Sequence, residues 1–142
     1  MKKRLAIVLL TLAAGTATAQ EPAPTAADKQ LAADIKSMQW YQVCTAWGRA
    51  ARRKDNRRAD TLRDHLLHRQ LINGVDLMHV GTREPHLGMT SCGVLANMGT
   101  PSVNNSTQSA TGIRQQMVYR DRNIYVYLDG QGNNGIVGAI QR

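Results

Sequence analysis

The sequence has only two cysteines, Cys44 and Cys92, among its 142 residues. Neither belongs to a C-x-x-C pair, and no histidine stands at zinc-site spacing from either of them, so we expect no metal centre. We predict an internal disulfide between the two, because the export signal described below would carry both into an oxidising compartment. Two buried free thiols, or a disulfide between chains, are the alternatives.

The sequence also lacks an apolar run long enough to cross a membrane. A run at residues 5–12 is followed by Gly15 and Thr16, well short of the roughly 20 apolar residues of a spanning helix. We therefore disfavour an uncleaved membrane anchor.

The same stretch has the three parts of a secretory signal peptide. Basic residues at positions 2–4 precede the apolar run, and small residues follow it up to Ala19. This pattern predicts a signal peptide over residues 1–19, cleaved before Gln20. No cysteine for lipid attachment stands at this point, so we expect a soluble protein in the periplasm, or secreted.

The charge balance favours anionic partners. Loss of the three basic residues with the signal would lower the formal charge from +8 to +5. In the bacterial envelope, anionic partners are lipid headgroups, cell-wall polymers or acidic proteins, and export argues against nucleic acid. We expect another envelope protein as the partner, with an acidic one favoured by the charge, and at most peripheral membrane contact.

The sequence shows no constellation of catalytic residues. A nucleophile with its base, a carboxylate pair or a metal cluster is not apparent. His65 and His68 are spaced to share one helix face, but a third ligand is missing, and the glycines of residues 130–135 indicate a hairpin loop rather than a phosphate cradle. We therefore predict a protein that is not an enzyme and needs no cofactor.

The amino-terminal half is predicted to be helical. Residues 20–27 are rich in proline and small residues, as in a flexible leader. Helical periodicity then predicts one long helix over residues 26–53 and a second over residues 57–72, which form a helical hairpin within residues 28–74. Thr25 and Asp28 suit the start of the first helix.

A basic segment joins these two helices. The arginines Arg52, Arg53, Arg57 and Arg58 surround a turn near residues 55–56, where Asp55 is the one acidic residue. The segment is either a solvated helix end or an anion-contacting patch, and we take these four arginines as candidates for contact with a partner. Trp47 nearby is expected in the core.

The carboxy-terminal half changes its period from helical to alternating. Thr90 is a candidate N-cap for a short helix that ends at Gly99 and Pro101. Beyond it, alternating apolar residues near 117–119, 124–128 and 136–140 predict a three-stranded antiparallel meander.

Residues 86–142 resemble a known family. The residues that carry the resemblance are Gly88, Met89, Thr90, Gly99, Pro101, Gln116, Tyr119, Tyr127 and Gln141. Their order is similar to that of the SmpA/OmlA (BamE-like) superfamily of small bacterial envelope proteins. The resemblance implies an α+β fold with helices on one face of the sheet, related in architecture to β-lactamase inhibitor proteins. The length that remains after removal of residues 1–19 suits one domain, which we expect over residues 28–142. These residues read as fold residues, without a catalytic role.

Two functions fit these observations. The first is a periplasmic protein-binding or scaffold module that supports envelope integrity, which the resemblance favours. The second is an inhibitor or immunity protein that blocks an enzyme, which the inhibitor-like architecture permits. Fold does not decide between them, because function depends on the site that a fold carries.

Overall fold

The computed structural model describes residues 23–142, so the predicted signal peptide lies outside the described residues. The helices are α1 (Ala26–Ser37), α2 (Trp40–Arg52), α3 (Asn56–His68), α4 (Gly74–His79) and α5 (Ser91–Met98). The strands are β1 (Val103–Ser109), β2 (Gly112–Tyr119), β3 (Ile124–Asp129) and β4 (Ile136–Gln141). The predicted α+β class is confirmed. In this part of the chain no helix has the length and apolar character of a membrane span.

The first predicted helix is two helices. The chain becomes extended at Met38 and Gln39, and α2 begins at Trp40, with the Gln42 side chain accepting a hydrogen bond from the backbone N–H of Gln39. The capping box of Thr25 and Asp28 at the start of α1 is present as predicted. Hydrophobic periodicity continues across residues 38–39, which is why the sequence pattern indicated one helix.

The second predicted helix, α3, ends at His68, four residues before its expected end. Leu71 and Ile72 extend the apolar pattern, and both are buried, but they lie in a connection rather than in the helix. Asn73 then caps α4, a six-residue helix that the sequence analysis did not predict. These two buried residues continue the helical spacing, which is why the sequence pattern predicted one more turn of helix.

The sheet has four antiparallel strands in the order β1-β2-β3-β4, one more than predicted. The three predicted strands correspond to β2, β3 and β4, and the added strand is β1. Its sequence, VNNSTQS, is almost wholly polar and mostly exposed, so it lacks the apolar alternation that marks a half-buried strand. A regular register with β2 holds β1 in the sheet over all seven residues.

The core lies between the helices and the inner face of the sheet. Its largest fully buried side chains include Trp47 of α2 and Leu62 and Leu66 of α3, and Trp47 is in the core as predicted. From the sheet, Met117, Tyr119, Ile124, Val126, Leu128 and Val137 belong to the same cluster. Both halves of the chain therefore contribute to one core.

Candidate functional site

The predicted disulfide is confirmed: Cys44 of α2 is bonded to Cys92 of α5. Both cysteines are fully buried, and their Cα atoms are 5.2 Å apart. One turn further along α2, Gly48 lies so close to α5 that an added Cβ would stand 1.8 Å from the Ala96 carbonyl oxygen. The next turn brings Arg52, whose Nη1 donates to the same oxygen at 2.7 Å. Positions 44, 48 and 52 therefore form the stripe of α2 that faces α5.

The start of α5 is held by a buried carboxylate that the sequence analysis missed. Asp76 accepts hydrogen bonds from the backbone N–H of Thr90 at 3.0 Å, from the Thr90 hydroxyl at 2.8 Å and from the N–H of Asn73 at 2.9 Å. Burial raises the pKa of Asp76, and these hydrogen bonds act in the opposite direction. Gly93 leaves the space that this carboxylate occupies. Asn73 and Asp76, at capping-box spacing, were the signal in the sequence.

Five of the residues that carry the family resemblance have structural roles in this fold. Gly88 and Gly99 both have positive φ, +82° and +81°, a conformation that favours glycine. Thr90 caps α5 as predicted, and Met89 is fully buried. The hydroxyl of Tyr119 donates to the Gly99 carbonyl at 3.0 Å, and burial raises the pKa of that hydroxyl strongly.

The four predicted partner-contact arginines do not act as one group. Arg52 is bound to the end of α5, and Arg57 pairs with Asp28 at the start of α1. Arg53 and Arg58 are exposed on either side of the turn and make no ion pair within residues 23–142. Their contact with a partner stays a prediction.

Arg52 belongs instead to a second group of arginines, which meet at the ends of α2 and α5. We call Arg49, Arg52, Arg83 and Arg122 the arginine cluster. Arg122 Nη1 donates to the Arg83 carbonyl at 2.8 Å and lies 3.6 Å from the Met98 sulfur. Burial, followed by the charges of Arg83, Arg49 and Arg122, lowers the pKa of Arg52. Arg83 and Arg122 are remote from Arg52 in sequence, so only the fold brings them together.

The buried amide of Asn97 positions the loop that carries Arg83. Its Nδ2 donates to the carbonyl oxygens of His79 and Glu84 at 2.9 and 2.8 Å, and its Oδ1 accepts from the N–H of Gly81 at 2.9 Å. These bonds wrap residues 79–84 around the end of α5. The backbone beside Arg83 is therefore fixed against the helix that Arg52 also contacts.

The outer face of the sheet carries a hydrogen-bonded row of side chains, which we call the polar ladder. Asn105 Nδ2 donates to Gln116 Oε1 at 3.0 Å, Gln116 Nε2 donates to the Tyr127 hydroxyl at 3.1 Å, and that hydroxyl donates to Gln141 Oε1 at 3.0 Å. The row crosses all four strands. Each member is hydrogen-bonded to its neighbour, so the side chains are held in one arrangement by contacts within the row.

A second row lies beside the polar ladder, towards the β1–β2 turn. Thr107, Arg114, Asp129 and Ile136 occupy successive strands, with Arg114 and Asp129 paired at 3.2 Å. The two rows border a concavity of about 940 Å³ on this face. Thr107, Arg114, Asp129 and Ile136 are all exposed, so residues 23–142 leave this part of the sheet open.

The histidines do not assemble a metal site. His79 and His86 stack with ring centroids 3.8 Å apart, and His65 is half-buried in α3, whereas His68 is exposed. Among residues 23–142, no group of three or more histidine, cysteine, aspartate or glutamate side chains could hold a metal ion.

No family model, curated protein or solved structure matches this chain.

Proposed function

We propose that the protein is a non-enzymatic, soluble periplasmic module that binds another envelope protein through the outer face of its sheet. The observation that carries this proposal is the polar ladder, an ordered row of side chains on a face that residues 23–142 leave open. The core covers the inner face of the sheet, so of the two faces the outer one is open to a partner.

The outer face has the properties of a surface prepared for binding. Ordering flexible side chains costs about 0.5–1.5 kcal/mol each when two proteins associate, and the polar ladder is ordered before any partner arrives. Tyr125 and Tyr127 are half-buried here, and tyrosine is enriched in protein interfaces. A partner can therefore dock on this face with a reduced entropic cost.

The envelope location is supported by two observations. The amino-terminal pattern predicts export, and the Cys44–Cys92 disulfide is consistent with an oxidising compartment. The resemblance of residues 86–142 to BamE-like envelope proteins favours a scaffold role in the same compartment. From the residues that carry this resemblance, we propose that the protein is a member of that superfamily.

Site-specific photo-crosslinking tests this function. A photoreactive amino acid replaces exposed Thr107 on the outer face, and a matched variant carries it at exposed Lys36 of α1. After irradiation of intact cells, we expect a discrete adduct with one envelope protein from position 107 and none from position 36. Absence of an adduct at 107, or the same adduct from both positions, would contradict the proposal.

Identification of the cross-linked partner also makes it possible to distinguish a scaffold from an inhibitor. If the partner is an enzyme, the purified protein is added to its assay in equimolar amount. Unchanged activity is the result expected of a scaffold. Stoichiometric loss of activity, relieved by a charged substitution at Thr107, would identify the protein as an inhibitor instead.

A further inference from the structure

The arginine cluster carries more positive charge than its surroundings neutralise. Two helix C-termini, those of α2 and α5, meet there and contribute about −0.5 elementary charge each. Asp121 lies 3.8 Å from the Arg122 guanidinium and adds one negative charge. Four guanidinium groups therefore leave an excess of about two positive charges at this point.

Two guanidinium groups of the arginine cluster are held in place by the fold. Hydrogen bonds to α5 hold Arg52, and a hydrogen bond to the Arg83 carbonyl holds Arg122. Arg49 stands one turn before Arg52 on α2, and neither Arg49 nor Arg83 makes an ion pair within residues 23–142. Like charges close together are unfavourable, and an anion bound among them would reduce this cost.

The free donors suit oxyanions. A guanidinium has five N–H donors, and Arg52 and Arg122 each direct one nitrogen to backbone carbonyls. The remaining donors, with those of exposed Arg49 and Arg83, can form paired hydrogen bonds with carboxylates. Lysine would supply charge without this planar geometry.

We propose that the arginine cluster binds an acidic segment of a partner protein through several of its carboxylates. This inference goes beyond the proposed function, because the arginine cluster is a second surface, apart from the outer face of the sheet. The four arginines come from α2, the 79–84 loop and the turn between β2 and β3, and Arg49 and Arg83 are exposed at the surface. A chain with several carboxylates spans such a surface better than one small anion.

A membrane surface fits the arginine cluster less well than an acidic polypeptide. Proteins that lie on membranes combine basic residues with apolar residues that enter the headgroup region. Next to Arg122 the side chain of Met98 is buried, and the carboxylate of Asp121 is exposed, where it would face anionic headgroups.

Fluorescence anisotropy with a defined peptide tests the inference. The probe is a short labelled peptide of alternating glutamate and serine, and its counterpart carries glutamine in place of glutamate. The test variant is R49Q/R83Q, which removes two exposed cluster charges without removing a hydrogen bond that holds the fold. The matched control is K29Q/K36Q, which removes two exposed positive charges of α1, outside the cluster.

We expect wild type and K29Q/K36Q to bind the glutamate peptide with similar Kd. R49Q/R83Q should bind it about fivefold or more weakly, since exposed charge pairs are individually modest. The glutamine peptide should not bind. Equal weakening in both double variants would show that net charge alone determines peptide binding, and this result would overturn the proposal. Binding to phosphatidylglycerol vesicles or to inorganic phosphate in place of the peptide would overturn it as well. These variants leave the sheet face intact, so this proposal and the proposed function can fail separately.

Discussion

At the scale of single residues, Gly48 decides how closely α2 and α5 can approach. An added Cβ would stand 1.8 Å from the Ala96 carbonyl oxygen, a backbone atom that cannot rotate away. We expect Gly48→Ala to push the two helices apart and to lower the free energy of unfolding by about 2 kcal/mol or more. Urea denaturation measures this loss.

Gly74→Ala is the matched control, because an added Cβ at Gly74 meets nothing within 4 Å. This substitution should leave the free energy of unfolding unchanged or raise it by a few tenths of a kcal/mol, because alanine gives the unfolded chain less conformational freedom than glycine does. Equal losses from both substitutions would show that close helix approach is not what Gly48 provides.

We expect two histidines to make the free energy of unfolding depend on pH. Burial, and secondarily neighbouring positive groups, lower the pKa values of His65 and His86, and the Nε2 atom of each is buried without a partner among the described residues. In the unfolded chain histidine titrates near pH 6.5, so the folded state binds fewer protons below that value. Their contribution to stability is complete above about pH 6.5 and is lost as the pH falls through the folded-state pKa values.

We therefore expect the free energy of unfolding to decrease between about pH 7 and pH 5, within the usual titration range of histidine. The variant His65→Asn/His86→Asn should show a smaller decrease over the same range. Urea denaturation at a series of pH values checks this expectation. An identical slope for wild type and variant would assign the pH dependence to other groups.

At the scale of secondary structure, the disulfide is the covalent link between the helical half and the α5-sheet half. Cys44 and Cys92 are 48 residues apart in sequence, and closing such a loop is worth about 4 kcal/mol in the chain-entropy model. We expect Cys44→Ala/Cys92→Ala to lose most of this amount in urea denaturation. Reduction of the wild type should give a similar loss, and a change below about 1 kcal/mol would contradict the estimate.

The elements that could be predicted from sequence are those with local signals. Thr90 and Gly99 mark both ends of α5, and alternating apolar residues mark β2, β3 and β4. The break at residues 38–39 and the strand β1 could not be predicted. The first is a change of backbone direction within an unbroken apolar period, and the second is a polar strand specified by pairing with β2.

The candidate surfaces were less predictable than the fold. Arg52 could be predicted as a surface candidate from the basic segment at residues 49–58. The other arginines of the cluster beside it include Arg83 and Arg122, which lie in a loop and a turn with no shared sequence pattern. The polar ladder depends on strand register, which places Asn105, Gln116 and Tyr127 in one row. Both surfaces arise from contacts that are distant in the chain.

At the scale of the whole molecule, export is the first expectation to test. The pattern at residues 1–19 predicts that the periplasmic protein begins at Gln20 and has lost the basic residues at positions 2–4. Intact mass spectrometry of periplasmic protein, with alkylation of any free thiol, should show this shorter chain with no alkylated cysteine. A mass that retains the first residues would contradict cleavage.

The concavity on the outer face and the arginine cluster lie at opposite ends of β2. The arginine cluster includes Arg122 in the turn after β2, whereas the concavity lies near the turn that precedes β2. An eight-residue strand such as β2 is about 25 Å long, and charges in solution are screened over about 8 Å at physiological ionic strength. Occupation of one surface should therefore leave the electrostatics of the other unchanged.

We accordingly expect the two surfaces to bind at the same time, as a scaffold requires. The protein carrying a cross-linked partner at position 107 should bind the glutamate peptide with a Kd within about twofold of that of the free protein, because screening separates the two sites. Anisotropy titration of the purified adduct measures this Kd, and R49Q/R83Q introduced into the same adduct is the control that should weaken binding. If the adduct no longer binds the peptide while the free protein does, the partner covers both surfaces, and the protein engages one large partner instead of joining two.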